Sequence, residues 1–564
     1  MTKEIDWEPE FDFKHFNPDN VNPNRPWLKY WPENVPKSIK FDPITVQEFV
    51  RKTAQQLPNN VAIYYVPANR KYTYREVFWH ADKVANALHG LGVRKDSVAI
   101  MTGNRPEFIF SMLGILQCGA SVSPINPLLR ERDVIHILKE AGNINTVFVH
   151  RDNYRTIKKA RKSVELENII LLGAKEAKDD AITFKEFIQD APPKPPQVKI
   201  DPQNDVAALL FTGGTTGLPK GVMLTHSNLI ADVLLTINMT DRERYEENFG
   251  KAASLAILPL CHTFGFTVVI ITLYAGAMML MFRSFDPGKV LEYIERYKVG
   301  LFVGVPVMFQ MLVNHPDFKS GKRDLSSLEG AASGSAALPP EISRKWEDRT
   351  SAKVGQGFGL TETSPITHTQ PEWIPEIRAE SIGIPIIDTD AKIVEPITLK
   401  ELELGQVGEL LIRGPQVMKG YWKKPEITEQ TIVEGWLRTG DLARMDKDGY
   451  FYIEGRTKDI IKYKGYKVMP REVEEKLYEH PAVLEVGVVG VPDPNIGETI
   501  KAFIVLRKEF REKTTESEII EWAKEKLAGY KYPRKIEFLT SLPRTPVGKI
   551  FRRKLREMEE KKSK

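Results

Sequence analysis

Residues 74–92 (YREVFWHADKVANALHGLG) carry apolar side chains three and four apart and stop on a glycine, which predicts an amphipathic helix. Residues 98–101 (VAIM) form a short unbroken apolar run, read as a buried strand; residues 108–117 predict a buried helix and residues 121–125 a second strand. Helix alternating with apolar strand points to α/β layers around a largely parallel sheet. Residues 190–199 (DAPPKPPQVK) have the composition of an extended connector. Residues 265–282 (GFTVVIITLYAGAMMLMF) carry no charge and reach the minimum length of a membrane span. Gly276 and the lack of basic flanks favour a buried helix followed by a buried strand, broken near Ala275 and Gly276.

From Gly455 the pattern changes to strand, hairpin, helix, strand, turn, strand, with charged helices after it. A boundary near residues 455–459 divides the chain into a large N-terminal domain of layered helices and sheets, residues 1–454, and a smaller α+β domain, residues 455–564. Two domains suit 564 residues, too many for one ordinary core.

Hydrophobic residues make up 42% and charged residues 27%, a globular balance. The net charge of +5, from 80 basic and 75 acidic residues, gives no nucleic-acid signal, although a local basic patch is enough for a small polyanion. The two cysteines, Cys118 and Cys261, have no metal-like spacing and cannot build a disulfide framework, so a cytoplasmic setting is expected. The opening MTKEIDWEPEFDF lacks a basic stretch followed by an apolar one, and a signal peptide is not expected.

The strongest chemical signal is residues 209–226, LLFTGGTTGLPKGVMLTH. An apolar strand runs into Thr212, Gly213, Gly214, Thr215, Thr216 and Gly217. Glycines let backbone N–H groups curl around phosphate oxygens without Cβ obstruction, threonines add hydroxyl donors, and Lys220 adds a compact positive charge. A Walker loop has lysine between glycine and Ser/Thr; here Lys220 lies between Pro219 and Gly221.

This loop resembles the signature of the acyl-adenylate-forming superfamily, which includes acyl-CoA synthetases, luciferases and peptide-synthetase adenylation domains. Gly213 replaces the usual serine, as in long-chain fatty-acid members. Further segments match in the family's order: residues 119–127 (GASVSPINP), 258–266 (LPLCHTFGF), 357–363 (GFGLTET), 408–422 (GELLIRGPQVMKGYW), 435–442 (GWLRTGDL), 456–472 and 542–550 (LPRTPVGKI). The resemblance covers nearly the whole chain.

It implies roles for individual residues. Phe358, within Gly357-Phe358-Gly359, would stack on adenine, with Gly334, Ser335 and Ala336 against the same base. Thr361 would donate to the α-phosphate, and Glu362 would hold Mg²⁺, a hard cation suited to carboxylate and phosphate oxygens. Asp441, reinforced by Arg456, would accept from the ribose hydroxyls. Lys549 would bridge the substrate carboxylate and the α-phosphate, and His262 would line the acyl or pantetheine passage. Lys458 would be the hinge of a mobile C-terminal domain, and Gly465, Tyr466 and Lys467 would border the coenzyme A passage. Candidates for the acyl pocket are residues 303–309 (VGVPVMF), Phe264, Phe266 and residues 355–357.

The function implied is an ATP-dependent ligase joining a medium- to long-chain fatty acid to coenzyme A, with ATP, Mg²⁺ and coenzyme A as its small molecules. Two alternatives stand beside it: the same chemistry on a short, hydroxy or aromatic acid, and a non-catalytic fatty-acid binding or uptake protein at the membrane. A small carboxylic acid is the expected partner and nucleic acid is not; a peripheral membrane contact and a homodimer are left open.

Overall fold

The structure, a computed structural model, describes residues 25–212, 219–240, 242–493, 496–544 and 550–562. They fall into two compact units, one of residues up to 390 with 412–437, the other of residues 391–411 with 438–562. The sequence boundary at Gly455 therefore lies inside the second unit, at the end of the strand Phe451–Arg456.

The first unit is built on an eight-stranded sheet. Its order is Gly420–Tyr421, Lys220–Thr225, Val206–Thr212, Ser121–Pro124, Ser97–Met101, Thr146–His150, Asn168–Leu172, Ile182–Thr183. From Val206–Thr212 to Ile182–Thr183 every neighbouring pair is parallel, as the alternation of helix and strand predicts. The helix Tyr74–Gly90 starts on a capping box, in which Thr73 Oγ1 accepts from the Glu76 N–H and Glu76 accepts from the Thr73 N–H. Its apolar face meets the almost fully buried helix Pro106–Gln117 at Gly114, where a Cβ would come within 2.6 Å of Val84. Among the described residues no helix or strand lies between Ile188 and Val206, where the proline-rich connector was expected.

A four-stranded sheet (Ala253–Ala256, Met278–Met281, Val61–Tyr65, Arg70–Thr73) and a parallel three-stranded one (Leu301–Gly304, Gly330–Ser333, Val354–Gln356) share a core around Trp346. The uncharged segment is the helix Thr263–Tyr274, a break at Ala275 and Gly276 (φ +67°), and the strand Met278–Met281, nearly all of it buried. Among the described residues no helix is long and apolar enough to cross a membrane.

In the second unit the strands Val483–Asp493 and Gly497–Leu506 form a long hairpin, flanked by Ile461–Tyr463 with Tyr466–Val468 and by Lys535–Phe538. Side chains alternate across it. Val486, Val488, Ile500, Ala502 and Ile504 join a core with the helices Pro470–Tyr478 and Glu516–Lys526, whereas Val489, Val491, Phe503 and Val505 face Leu542 and Leu555.

Candidate active site

The phosphate-loop candidate closes a hairpin. Val206–Thr212 and Lys220–Thr225 pair antiparallel, and Thr212 opposite Lys220 is the last register pair. Residues 213–219 join them; of these, Gly213, Gly214, Thr215, Thr216 and Gly217 lie outside the described residues. The loop thus runs from strand to strand, whereas a Walker loop feeds a helix N-terminus. The helix His226–Ile237 begins only after the second strand. Thr212 Oγ1 donates to the Lys220 carbonyl at 3.5 Å.

The strand Gly420–Tyr421 pairs alongside Lys220–Thr225, with Tyr421 opposite Val222. This puts the Tyr421 ring 4.5 Å from Lys220 Nζ. The Tyr421 hydroxyl donates to Glu362 Oε1 at 2.8 Å. Burial first, and then the Glu362 carboxylate, push the Tyr421 hydroxyl well above the usual phenol range, so it stays a neutral donor. Tyr421 was not singled out from the sequence, where it lay within the matched stretch 408–422.

Glu362 lies in the turn Thr361–Thr363, held from several sides. The Glu362 carbonyl accepts from the Met418 N–H at 2.8 Å, Thr363 Oγ1 donates to the Pro365 carbonyl at 2.7 Å, and buried Asp232 accepts from the Ile366 N–H at 2.9 Å. Ahead of the turn, a Cβ on Gly359 would collide with the Pro365 carbonyl oxygen. The Gly357 N–H donates to the Ser333 carbonyl at 2.9 Å, which brings the segment 357–359 beside Gly334, half-buried Ser335 and exposed Ala336. Phe358 meets the buried His368 edge-on at 6.0 Å. Burial lowers the His368 imidazole to about 3, leaving it neutral.

His262 caps the helix Thr263–Tyr274, its Nδ1 accepting from the Phe264 N–H at 3.4 Å. Beside this helix lies a small, mostly apolar void with room for about one water molecule, whose lining includes Leu258, Leu260, Val268, Val269, Thr272 and Met279. The acyl candidates read from sequence are among the residues packed in this unit. Phe266 and Phe309 are fully buried, and Phe309 packs edge-on against Trp346 at 5.0 Å.

In the second unit Asp441 and Arg456 stand opposite each other on paired strands. Arg456 Nε donates to Asp441 Oδ1 at 2.8 Å, and the Asp441 side chain is only 5% exposed. Lys458 sits in the turn Thr457–Asp459. Gly465, at φ +85°, closes the hairpin between Ile461–Tyr463 and Tyr466–Val468; Tyr466 stacks on Tyr530 at 4.5 Å, and Lys467 is exposed. Lys549 lies outside the described residues; the residues flanking that stretch, Arg544 and Ile550, pair antiparallel.

Among the described residues no group of three or more His, Cys, Asp or Glu side chains is placed to hold a metal ion. A single carboxylate, Glu362, suits Mg²⁺ nonetheless, since that ion takes one or two carboxylates and fills its shell with phosphate oxygens and water.

The fold and the arrangement of these residues define the adenylate-forming class. The AMP-binding enzyme pattern matches residues 50–422, and that of the AMP-binding enzyme C-terminal domain matches residues 472–549. A long-chain-fatty-acid–CoA ligase of Bacillus subtilis (strain 168) is 37% identical over 561 residues, covering 95% of this chain and 98% of the relative. ATP-bound MatB from Rhodopseudomonas palustris has a TM-score of 0.81 at 28% identity, over 92% of this chain and 100% of that one. A fatty acyl CoA synthetase of Mycobacterium tuberculosis has a TM-score of 0.73 at 27% identity, over 92% of this chain and 99% of that one. The chain belongs to the AMP-binding enzyme family, as an AMP-forming ligase of the acyl-CoA synthetase type.

Proposed function

We propose that this chain activates a medium- to long-chain fatty acid with ATP and passes the acyl group to coenzyme A. The observation that carries this reading is the convergence of Lys220 and Glu362 on Tyr421 at the foot of the glycine- and threonine-bearing loop. The name of the Bacillus subtilis relative supports the same substrate class.

The fatty-acid carboxylate attacks the α-phosphorus; the new O–P bond forms as the bond to pyrophosphate breaks. Two anions meet in this step, so cationic side chains aimed at the developing oxyanions lower its barrier. Lys220 meets the loop-bound phosphates, Thr361 donates to the α-phosphate, and Lys549 bridges carboxylate and phosphate. Glu362 would hold Mg²⁺, which when bound offsets phosphate charge. The Phe358 ring, with Gly334, Ser335 and Ala336 beside it, holds adenine, and Asp441, held by Arg456, accepts from the ribose hydroxyls. In the second step the coenzyme A thiolate attacks the acyl carbon, the C–S bond forms, and AMP leaves. Gly465, Tyr466 and Lys467 border the pantetheine route after a turn about Lys458.

A panel of carboxylic acids scored by pyrophosphate release and thioester formation tests this. Release should rise with added methylenes until the acyl pocket ends, by about 0.8 kcal/mol for each buried CH₂. A preference for acetate or a ring acid over dodecanoate overturns the fatty-acid assignment and leaves the ligase chemistry standing. Fatty-acid binding without pyrophosphate release from any acid would instead make this a binding protein.

A further inference from the structure

We propose that Tyr421 is a positioning residue that sets the carboxylate of Glu362 and the ammonium of Lys220 in one shared geometry for metal-bound nucleotide. The inference rests on the reading of Glu362 as the metal residue.

One side chain serves both groups. Its hydroxyl donates to Glu362 Oε1 at 2.8 Å, and its ring lies 4.5 Å from Lys220 Nζ. A hydrogen bond to one oxygen fixes the plane of a carboxylate and directs its other lone pairs. A ring face holds an ammonium without neutralising it, as a carboxylate partner would. Contact through the tyrosine thus gives each charge a fixed place beside the other.

The backbone holds Tyr421 rigidly enough for this. Tyr421 is 6% exposed. Its N–H donates to Thr428 Oγ1 at 2.9 Å, the Trp422 N–H donates to the Gly221 carbonyl at 2.8 Å, and the Met418 N–H donates to the Glu362 carbonyl at 2.8 Å. Gly420, at φ +146°, leaves no room for a Cβ, which would come within 2.8 Å of Thr428. The same short strand is therefore bonded to the hairpin that carries Lys220 and to the turn that carries Glu362.

The two contacts separate by mutation. Tyr421→Phe keeps the ring on Lys220 and removes only the hydroxyl. Tyr421→Leu removes both. The measurement is Mn²⁺ uptake into the ATP complex by electron paramagnetic resonance, with ATP affinity by calorimetry at saturating Mg²⁺, for both variants, Glu362→Gln and the double variant Tyr421→Phe/Glu362→Gln. Tyr421→Phe should weaken Mn²⁺ uptake by about tenfold, the size of one hydrogen bond to a charged group, and barely change ATP affinity at saturating Mg²⁺. Tyr421→Leu should also weaken ATP binding at saturating Mg²⁺. The double variant should be no worse than Glu362→Gln alone, because the hydroxyl acts through that carboxylate. Unchanged Mn²⁺ uptake in Tyr421→Phe beside weakened uptake in Glu362→Gln overturns the positioning role and spares the metal assignment. Unchanged uptake in Glu362→Gln overturns both. If Tyr421→Leu fails to fold, Tyr421→Phe, which removes one oxygen, still decides the question.

Discussion

The Thr267 hydroxyl donates to the carbonyl oxygen of Ser364 at 2.6 Å, and both residues are fully buried. This bond ties the helix that starts beside His262 to the turn that carries Glu362, two segments nearly a hundred residues apart in sequence. Thr267→Val keeps the shape and leaves the Ser364 carbonyl without this donor, at a cost of about 1–3 kcal/mol. Denaturant unfolding should show that loss, and ATP affinity should fall with it. Thr267→Ser should restore both.

Gly359 and Gly357 make a graded pair. A Cβ at 359 would collide with the Pro365 carbonyl oxygen, a backbone atom that can move only with the turn, whereas one at 357 would stand 3.3 Å from the His368 carbonyl. Gly359→Ala should therefore displace Thr361 and Glu362 and abolish ATP binding by calorimetry. Gly357→Ala should weaken it by less than about tenfold, since small local shifts relieve so slight an overlap.

Much of this arrangement was legible in the sequence because periodicity and punctuation are local. Residues 74–125 alternate as helix and strand, and the break at Gly276 falls where a membrane span would have needed continuity. The loop carried its proposed chemistry in its residue types. Tyr421 did not, since its role depends on pairing with a strand two hundred residues away, which no local pattern encodes. Which apolar residues would take an acyl tail was hidden for another reason. An apolar side chain that fills a core, such as Phe309 on Trp346, has the same composition as one that lines a void, such as Val268. The place of residues 391–411 in the second unit likewise rests on long-range strand pairing with residues 436–445.

Asp388 links stability to pH. Burial raises its carboxyl to about 6, against the hydrogen bond it accepts from the Ile39 N–H at 2.8 Å. The neutral form fits the fold, so its contribution is fully present below the ordinary carboxylate pKa and is lost as pH rises through about 6. Asp388→Asn should gain on the order of 3 kcal/mol at pH 8 and little at pH 4. Asparagine also tolerates the left-handed backbone at this position, φ +50°. Thermal unfolding at the two pH values checks the sign.

The half-reactions should separate by mutation within the second unit. The residue after Lys458, Asp459, is 4% exposed and accepts from Arg556 at 2.9 Å on the C-terminal helix Arg552–Lys562. Arg552 on the same helix binds Glu474 at 2.6 Å. A turn about Lys458 would thus move the chain beyond it as one piece, with the Lys549 loop just ahead of that helix. Lys549→Ala should lose charge stabilisation in adenylation, about 3 kcal/mol or ~10²-fold, and still convert supplied acyl-adenylate and coenzyme A to thioester. Lys458→Pro should do the reverse, because proline fixes φ and restricts the residue before it, and a hinge needs both free. Asp459→Asn should resemble Lys549→Ala more weakly, since it loosens the helix behind the lysine loop and leaves the turn free. Pyrophosphate release beside thioester formation from pre-made adenylate measures all three. Equal losses in both assays across the set would mean that the two steps share one arrangement, and the turn about Lys458 would have to be given up.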